Sequence, residues 1–150
     1  MGRTGESTDV GKEEPIRVVL AEDHAEFRLG LKEMLATDGG IEVVGEAENG
    51  AQAVAVAREV RPDVVVLDLV MPVMEGREAL VLILREGSPP PGIVSITRHD
   101  QSRLRRELMR MGASAFLAKS ASLAELIGAV KGSRPLRTPR EDSGEAPPAF

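Results

Sequence analysis

Five short apolar runs recur along the chain, each followed by a segment with helical spacing. The predicted strands are Ile16–Ala21, Glu42–Ala47, Asp63–Asp68, Ile93–Thr97 and Ala115–Ala118, rich in Val, Ile and Leu and bounded by turn residues. Val18-Val19-Leu20 and Val64-Val65-Val66-Leu67 are apolar without alternation, as expected of strands covered on both faces in a parallel sheet. Between them run helical stripes: Phe27, Leu31, Met34 and Leu35; Leu104, Leu108 and Met111; Leu123, Leu126, Ile127 and Val130. Asp23 with Glu26, and Ser122 with Glu125, have capping-box spacing, while Gly39-Gly40, Gly87 and Gly112 mark helix ends. Five βα units with right-handed crossovers predict an α/β fold, an open, doubly wound, five-stranded parallel sheet. Such sheets bind ligands beyond the carboxyl ends of their strands.

Those ends carry the candidate chemistry. Glu22 and Asp23 follow strand one, Asp68 ends strand three, Thr97 ends strand four, and Lys119 follows strand five. In strand order 2-1-3-4-5, strands one and three are neighbours, so three carboxylates converge. Their mutual repulsion calls for a hard divalent cation; Mg²⁺ suits the oxygen donors, with Glu22 and Asp23 as its holders and Asp68 nearest the incoming phosphorus. A carboxylate can act as nucleophile and form an aspartyl phosphate, which assigns Asp68 as the acceptor. The Lys119 ammonium and the Thr97 hydroxyl would then neutralise the phosphoryl oxygens. Each residue alone has a plainer role: Asp23 as a helix cap, Asp68 as a loop residue before Met71-Pro72, Thr97 in a strand, Lys119 on the surface. Their joint placement at four strand ends favours phosphoryl chemistry.

Composition narrows the alternatives. The chain has no cysteine and two histidines, His24 and His99, which excludes disulfides and the usual structural zinc sites. With three Phe, no Trp or Tyr, and a net charge of −5, it is poorly equipped for base stacking or general phosphate-backbone binding. Arg103, Arg105, Arg106 and Arg110 on helix four are interspersed with Glu107 and read as a solvated or protein-contact face, so no direct nucleic-acid binding is expected. No apolar run approaches the roughly 20 residues of a membrane span, and the first 15 residues show no secretory signal, so a cytoplasmic protein without membrane contact is expected. Residues 1–15 and 132–150, the latter rich in Pro and Arg, are expected to be disordered tails around a domain at 16–131.

These features also resemble a family. The stretches Val18–His24 (VVLAEDH), Asp63–Gly76 (DVVVLDLVMPVMEG), Ile96-Thr97 and Gly112–Lys119 (GASAFLAK) resemble the receiver domain of two-component response regulators, over about residues 16–130. The segments DHAEFRLGLKEML and IEVVGEAENGAQAV are similar to regulators with a LuxR-type helix-turn-helix output domain. The resemblance implies the flavodoxin-like (βα)5 fold, Mg²⁺ held by Glu22, Asp23 and Asp68, phosphorylation of Asp68 by a histidine kinase or phosphotransfer protein, and a switch through Thr97 and Phe116. It further implies a responsive face of helix four, strand five and helix five, where Met109 could meet a partner or a second copy in a phosphorylation-dependent homodimer. Two departures stand out. Arg98 occupies a position that is usually small and is a candidate modulator of phosphoryl lifetime, and Ser120 replaces a common proline, so Lys119–Ser120 is expected to be trans. The 31 residues after Lys119 allow one helix and a tail, which leaves a single-domain regulator or a receiver fragment of a DNA-binding transcriptional regulator.

Other classes fit less well. A dehalogenase-type phosphatase wants a second aspartate where Val70 stands, and no Gly-rich nucleotide loop or G-x-S-x-G is present. The reading is therefore a regulatory domain that catalyses only its own phosphorylation and dephosphorylation. A phosphate-independent pseudo-receiver that serves only as an interaction module remains the alternative.

Overall fold

A computed structural model describes residues 14–98 and 102–135. Five strands, β1 (Ile16–Ala21), β2 (Ile41–Ala47), β3 (Val64–Asp68), β4 (Gly92–Thr97) and β5 (Ala115–Ala118), alternate with five helices. The helices are α1 (Ala25–Ala36), α2 (Gly50–Val60), α3 (Gly76–Glu86), α4 (Ser102–Met111) and α5 (Leu123–Ser133). All strand pairings are parallel, in the order β2-β1-β3-β4-β5, as expected.

The uninterrupted Val runs are explained by two cores, one on each side of the sheet. Val18, Leu20, Val64, Val66, Val94 and Ile96 pack with Leu31 and Leu35 of α1 and Leu126 and Val130 of α5. Their neighbours Val19, Ala21, Val65, Leu67 and Ile93 face the other way, onto Ala53, Val54 and Ala57 of α2, Leu80 and Ile83 of α3, and Leu108 of α4. Period-two alternation in a strand thus loads both faces, and no strand residue of β3 or β4 is left exposed.

Several boundaries differ from the sequence reading, each for a local reason. β2 begins one residue earlier, at Ile41, whose Cα pairs with Ile16. Asp63 precedes β3 rather than opening it, because its carboxylate accepts the Arg17 N–H at 2.9 Å and caps the lower edge. The first helix is capped by His24, not Asp23, and no side chain closes the cap. The Ser122–Glu125 capping box is present on both sides. Gly112 has φ +116° after α4, whereas Gly87 caps α3 in an extended conformation. α5 continues to Ser133, two residues beyond the boundary expected at 131, while residues 1–13 and 136–150 of the expected tails lie outside the described residues. The described cis bond is Ser88–Pro89, so Lys119–Ser120 is trans.

Candidate functional site

The carboxyl ends of β1, β3, β4 and β5 open on the same side of the sheet, and the register delivers the side chains. Ala21 pairs with Leu67, Asp68 with Ile96, and Thr97 with Ala118, so the residues that follow these pairs are brought to one rim. Glu22 N donates to Ala47 O at 3.0 Å, and Lys119 N donates to Thr97 O at 2.7 Å, which carries each strand's direction one residue past its end. Asp68 is followed by a loop that closes where Gly76 N donates to Leu69 O at 3.1 Å. A Cβ on Gly76 would overlap the Asp68 carbonyl oxygen and lie 2.7 Å from Leu69 Cα, so only glycine lets α3 start this close beneath the acceptor.

At the centre stands Lys119. Its Nζ lies 3.1 Å from Asp68 Oδ2 and 3.0 Å from Glu22 Oε1. Glu22 is fully buried, and Asp68 nearly so. The second Asp68 oxygen accepts the Val70 N–H at 3.2 Å. Glu22 Oε2 accepts the His24 N–H at 3.0 Å and faces His24 Nδ1 at 3.1 Å. Burial raises the pKa of Glu22, but the His24 N–H and the Lys119 ammonium outweigh it and hold the group below its ordinary value. For Asp68 the balance is opposite. Burial and the nearby Glu22 charge push it up, against the lowering by the Val70 N–H and Lys119.

Two buried carboxylate oxygens, Glu22 Oε1 and Asp23 Oδ1, have no hydrogen-bond partner among the described residues. Glu22 Oε1 has its 3.0 Å ion contact with Lys119, and Asp23 Oδ1 lies 3.4 Å from His24 Nδ1. Glu22, Asp23 and His24 each place one ligand atom within 4.8 Å of the others. Hard oxygens left unsatisfied beside a third carboxylate fit a small divalent cation such as Mg²⁺.

The structure thus brings Glu22, Asp68 and Lys119 into contact, with Asp23 and Thr97 at the adjoining strand ends. Thr97 is buried. Phe116 is buried in the core facing α4; the Arg105 guanidinium lies 5.5 Å from its ring centroid and donates to its carbonyl at 3.3 Å. Arg98 stands apart: it is exposed and, among the described residues, makes no hydrogen bond or ion pair with the cluster. Sequence reasoning missed His24, which orients Glu22, and Phe27, whose ring lies 4.9 Å from Lys119 Nζ. It also missed Arg105 as a partner of Phe116. His24 adjoined the acidic pair, but Phe27 gave no signal beyond a place in the α1 stripe.

Known proteins match this chain in sequence and in fold. The family model described as the response regulator receiver domain matches residues 18–131. The response regulator GacA of Pseudomonas viridiflava is 37% identical over 116 residues, which are 77% of this chain and 54% of that protein. The transcriptional regulatory protein LiaR of Bacillus subtilis (strain 168) is 40% identical over 116 residues, again 77% of this chain and 54% of that protein. The chain therefore spans about half the length of the curated relatives it matches. Among solved structures, the signal receiver domain of NarL from Mycobacterium tuberculosis superposes with a TM-score of 0.74 at 34% identity, covering 79% of this chain and 94% of that one. A LuxR-family two-component response regulator from Aurantimonas sp. SI85-9A1 gives 0.73 at 31% identity, covering 81% and 89%.

Proposed function

This chain belongs to the family of response regulator receiver domains, and from that membership and the geometry of its strand ends we propose that it takes a phosphoryl group on Asp68 from a histidine kinase or phosphotransfer protein. The observation that carries the reading is the buried Glu22–Lys119–Asp68 contact, a charge arrangement that burial alone would disfavour and that phosphoryl transfer needs.

Glu22, Asp23 and Asp68 would hold Mg²⁺, whose charge, when bound, offsets that of the phosphoryl oxygens. An Asp68 carboxylate oxygen forms the new O–P bond as the P–N bond to the donor imidazole breaks, the electron pair leaving with the nitrogen. Lys119, released from Asp68, turns its ammonium toward one phosphoryl oxygen, and Thr97 offers its hydroxyl to another. The dianionic product then biases two conformers of the α4–β5–α5 face, with Thr97 and Phe116 as the moving parts. That face would carry the output, through a partner or a second copy of the chain. Among the described residues no helix is long and apolar enough to cross a membrane, which is in keeping with a cytoplasmic role.

Intact-mass spectrometry after incubation with acetyl phosphate tests the reading, with and without Mg²⁺ and beside Asp68→Asn. A Mg²⁺-dependent gain of one phosphoryl group, absent from the variant, supports it; a folded wild type that gains none from acetyl phosphate or from a kinase refutes it. Arg98, next to Thr97, would alter phosphoryl lifetime; equal aspartyl-phosphate half-lives in wild type and Arg98→Ala would reject that role.

A further inference from the structure

On the α1–α5 side of the sheet lies a cavity of about 230 Å³ that shares Lys119 with the acceptor site. Its walls are apolar, made by Phe27, Leu31 and Met34 of α1, Ile96 and Leu117 of the sheet, and Leu126 of α5. An apolar cavity of roughly 150 Å³ is enough to admit benzene, so this one has room for a single ring and a short chain.

Two residues at the wall are charged, Glu26 and Lys119. The Lys119 ammonium is already engaged by Glu22 and Asp68 at 3.0 and 3.1 Å. Glu26, by contrast, has no cationic partner among the described residues. The one uncompensated charge facing the cavity is therefore a carboxylate.

Gly30 also lines the cavity, in the middle of α1. A glycine there weakens the helix relative to alanine. Nothing in the packing requires it, because a Cβ built on Gly30 meets no atom within 4 Å. What its missing side chain does is leave the cavity open.

We propose that this cavity is a binding site for a small organic cation, an aromatic ring carrying one amine. The ring enters between α1 and α5, and the ammonium meets Glu26 at the rim. The occupant would pack on Phe27, whose ring lies 4.9 Å from Lys119 Nζ, so occupancy reaches the acceptor site through one side chain. That last step rests on the proposed phosphorylation of Asp68, whereas the binding itself does not.

The probe is 2-phenylethylamine, titrated into the full chain and followed by side-chain NMR. Saturable shifts confined to Phe27, Leu31, Met34 and Leu126 are expected. Gly30→Leu and, independently, Ala121→Leu, at a residue that also lines the cavity, fill the space and should weaken binding about tenfold or more. Glu26→Gln should weaken the amine roughly threefold while leaving benzyl alcohol unchanged. Absence of saturation in the wild type, wild-type affinity in both filled variants, or phenylacetate binding as tightly as the amine would each overturn the site. A saturating amine should also change the aspartyl-phosphate half-life; binding without any change would overturn the coupling and leave the site standing, and a chain that never accepts phosphate would be recognised before this arm is read.

Discussion

Lys119 is the only cation in contact with two buried carboxylates among the described residues, and replacing it by methionine isolates that role. Methionine retains much of the apolar stem against Phe27 and removes the ammonium. The facing oxygens of Glu22 and Asp68 each lie within 3.1 Å of the same nitrogen, so they are no more than about 6 Å apart. At that separation and an effective dielectric of about 20, two unit charges repel by about 3 kcal/mol. Removing one partner of a buried ionic cluster costs a similar amount, about 3–5 kcal/mol. Lys119→Met should therefore lose about 3 kcal/mol at pH 7.5 without Mg²⁺, a fall in Tm on the order of 10 °C.

The pH dependence of this loss gives the sharper test. In the wild type Glu22 is held below its ordinary pKa, so its contribution fades as pH falls, while Asp68 is held above its ordinary value, so its penalty fades as well. The two trends oppose each other. Without Lys119 both groups lose their cation, both are pushed up, and the penalty grows as pH rises through the carboxylate range. Urea denaturation at pH 4 and pH 7.5 should show a small difference from wild type at the lower pH and the full loss at the higher. A variant within about 1 kcal/mol of wild type at pH 7.5, or an equal loss at both values, would refute the electrostatic account.

Three further outcomes follow from other parts of the molecule. Val73 is exposed yet held at φ 69°, a region that β-branched residues avoid, so Val73→Asn should stabilise by about 1 kcal/mol, read as a higher urea midpoint at unchanged slope. A lower midpoint would mean that the turn depends on valine. Ser122→Ala removes the acceptor of the Glu125 N–H (3.1 Å) and should cost about 1 kcal/mol, again from urea denaturation. Glu46 is held below its ordinary pKa by Lys32, aided by Arg28 and opposed by partial burial, so its contribution is present above the ordinary carboxylate range and lost as pH falls through it. Glu46→Gln should then lower stability near neutrality by about 0.5 kcal/mol and converge with wild type in acid; a constant difference across pH would reject the ion pairs as its source.

The fold was legible because its strands are buried on both faces, and such strands write themselves as unbroken Val and Leu runs. The site was legible for the same reason: once the strands are placed, topology alone carries Asp68, Lys119 and Glu22 to one rim. What local sequence could not reveal was competition between neighbouring roles. Asp23 with Glu26 has the spacing of a capping box, but among the described residues Asp23 Oδ1 has no hydrogen-bond partner, and the helix starts from His24. Asp63 looked like the first residue of a strand because it adjoins one, and only the fold shows that Arg17 claims its carboxylate. The Phe27–Lys119 contact joins residues from the first and last βα units, a separation that no periodicity encodes. Likewise, Arg98 sits beside the site in sequence, yet its side chain is exposed and, among the described residues, meets no polar partner.

β5 is only four residues long, yet its two central side chains belong to different halves of the molecule. Phe116 packs with the core shared by α2, α3 and α4, and Leu117 packs with the one shared by α1 and α5. The sheet therefore acts as a partition as well as a scaffold. A rearrangement of Phe116 is absorbed on the α4 side, while the α1–α5 layer keeps its packing through the next residue. Related chains can therefore alter one layer, and with it the identity of what they contact there, without re-optimising the other.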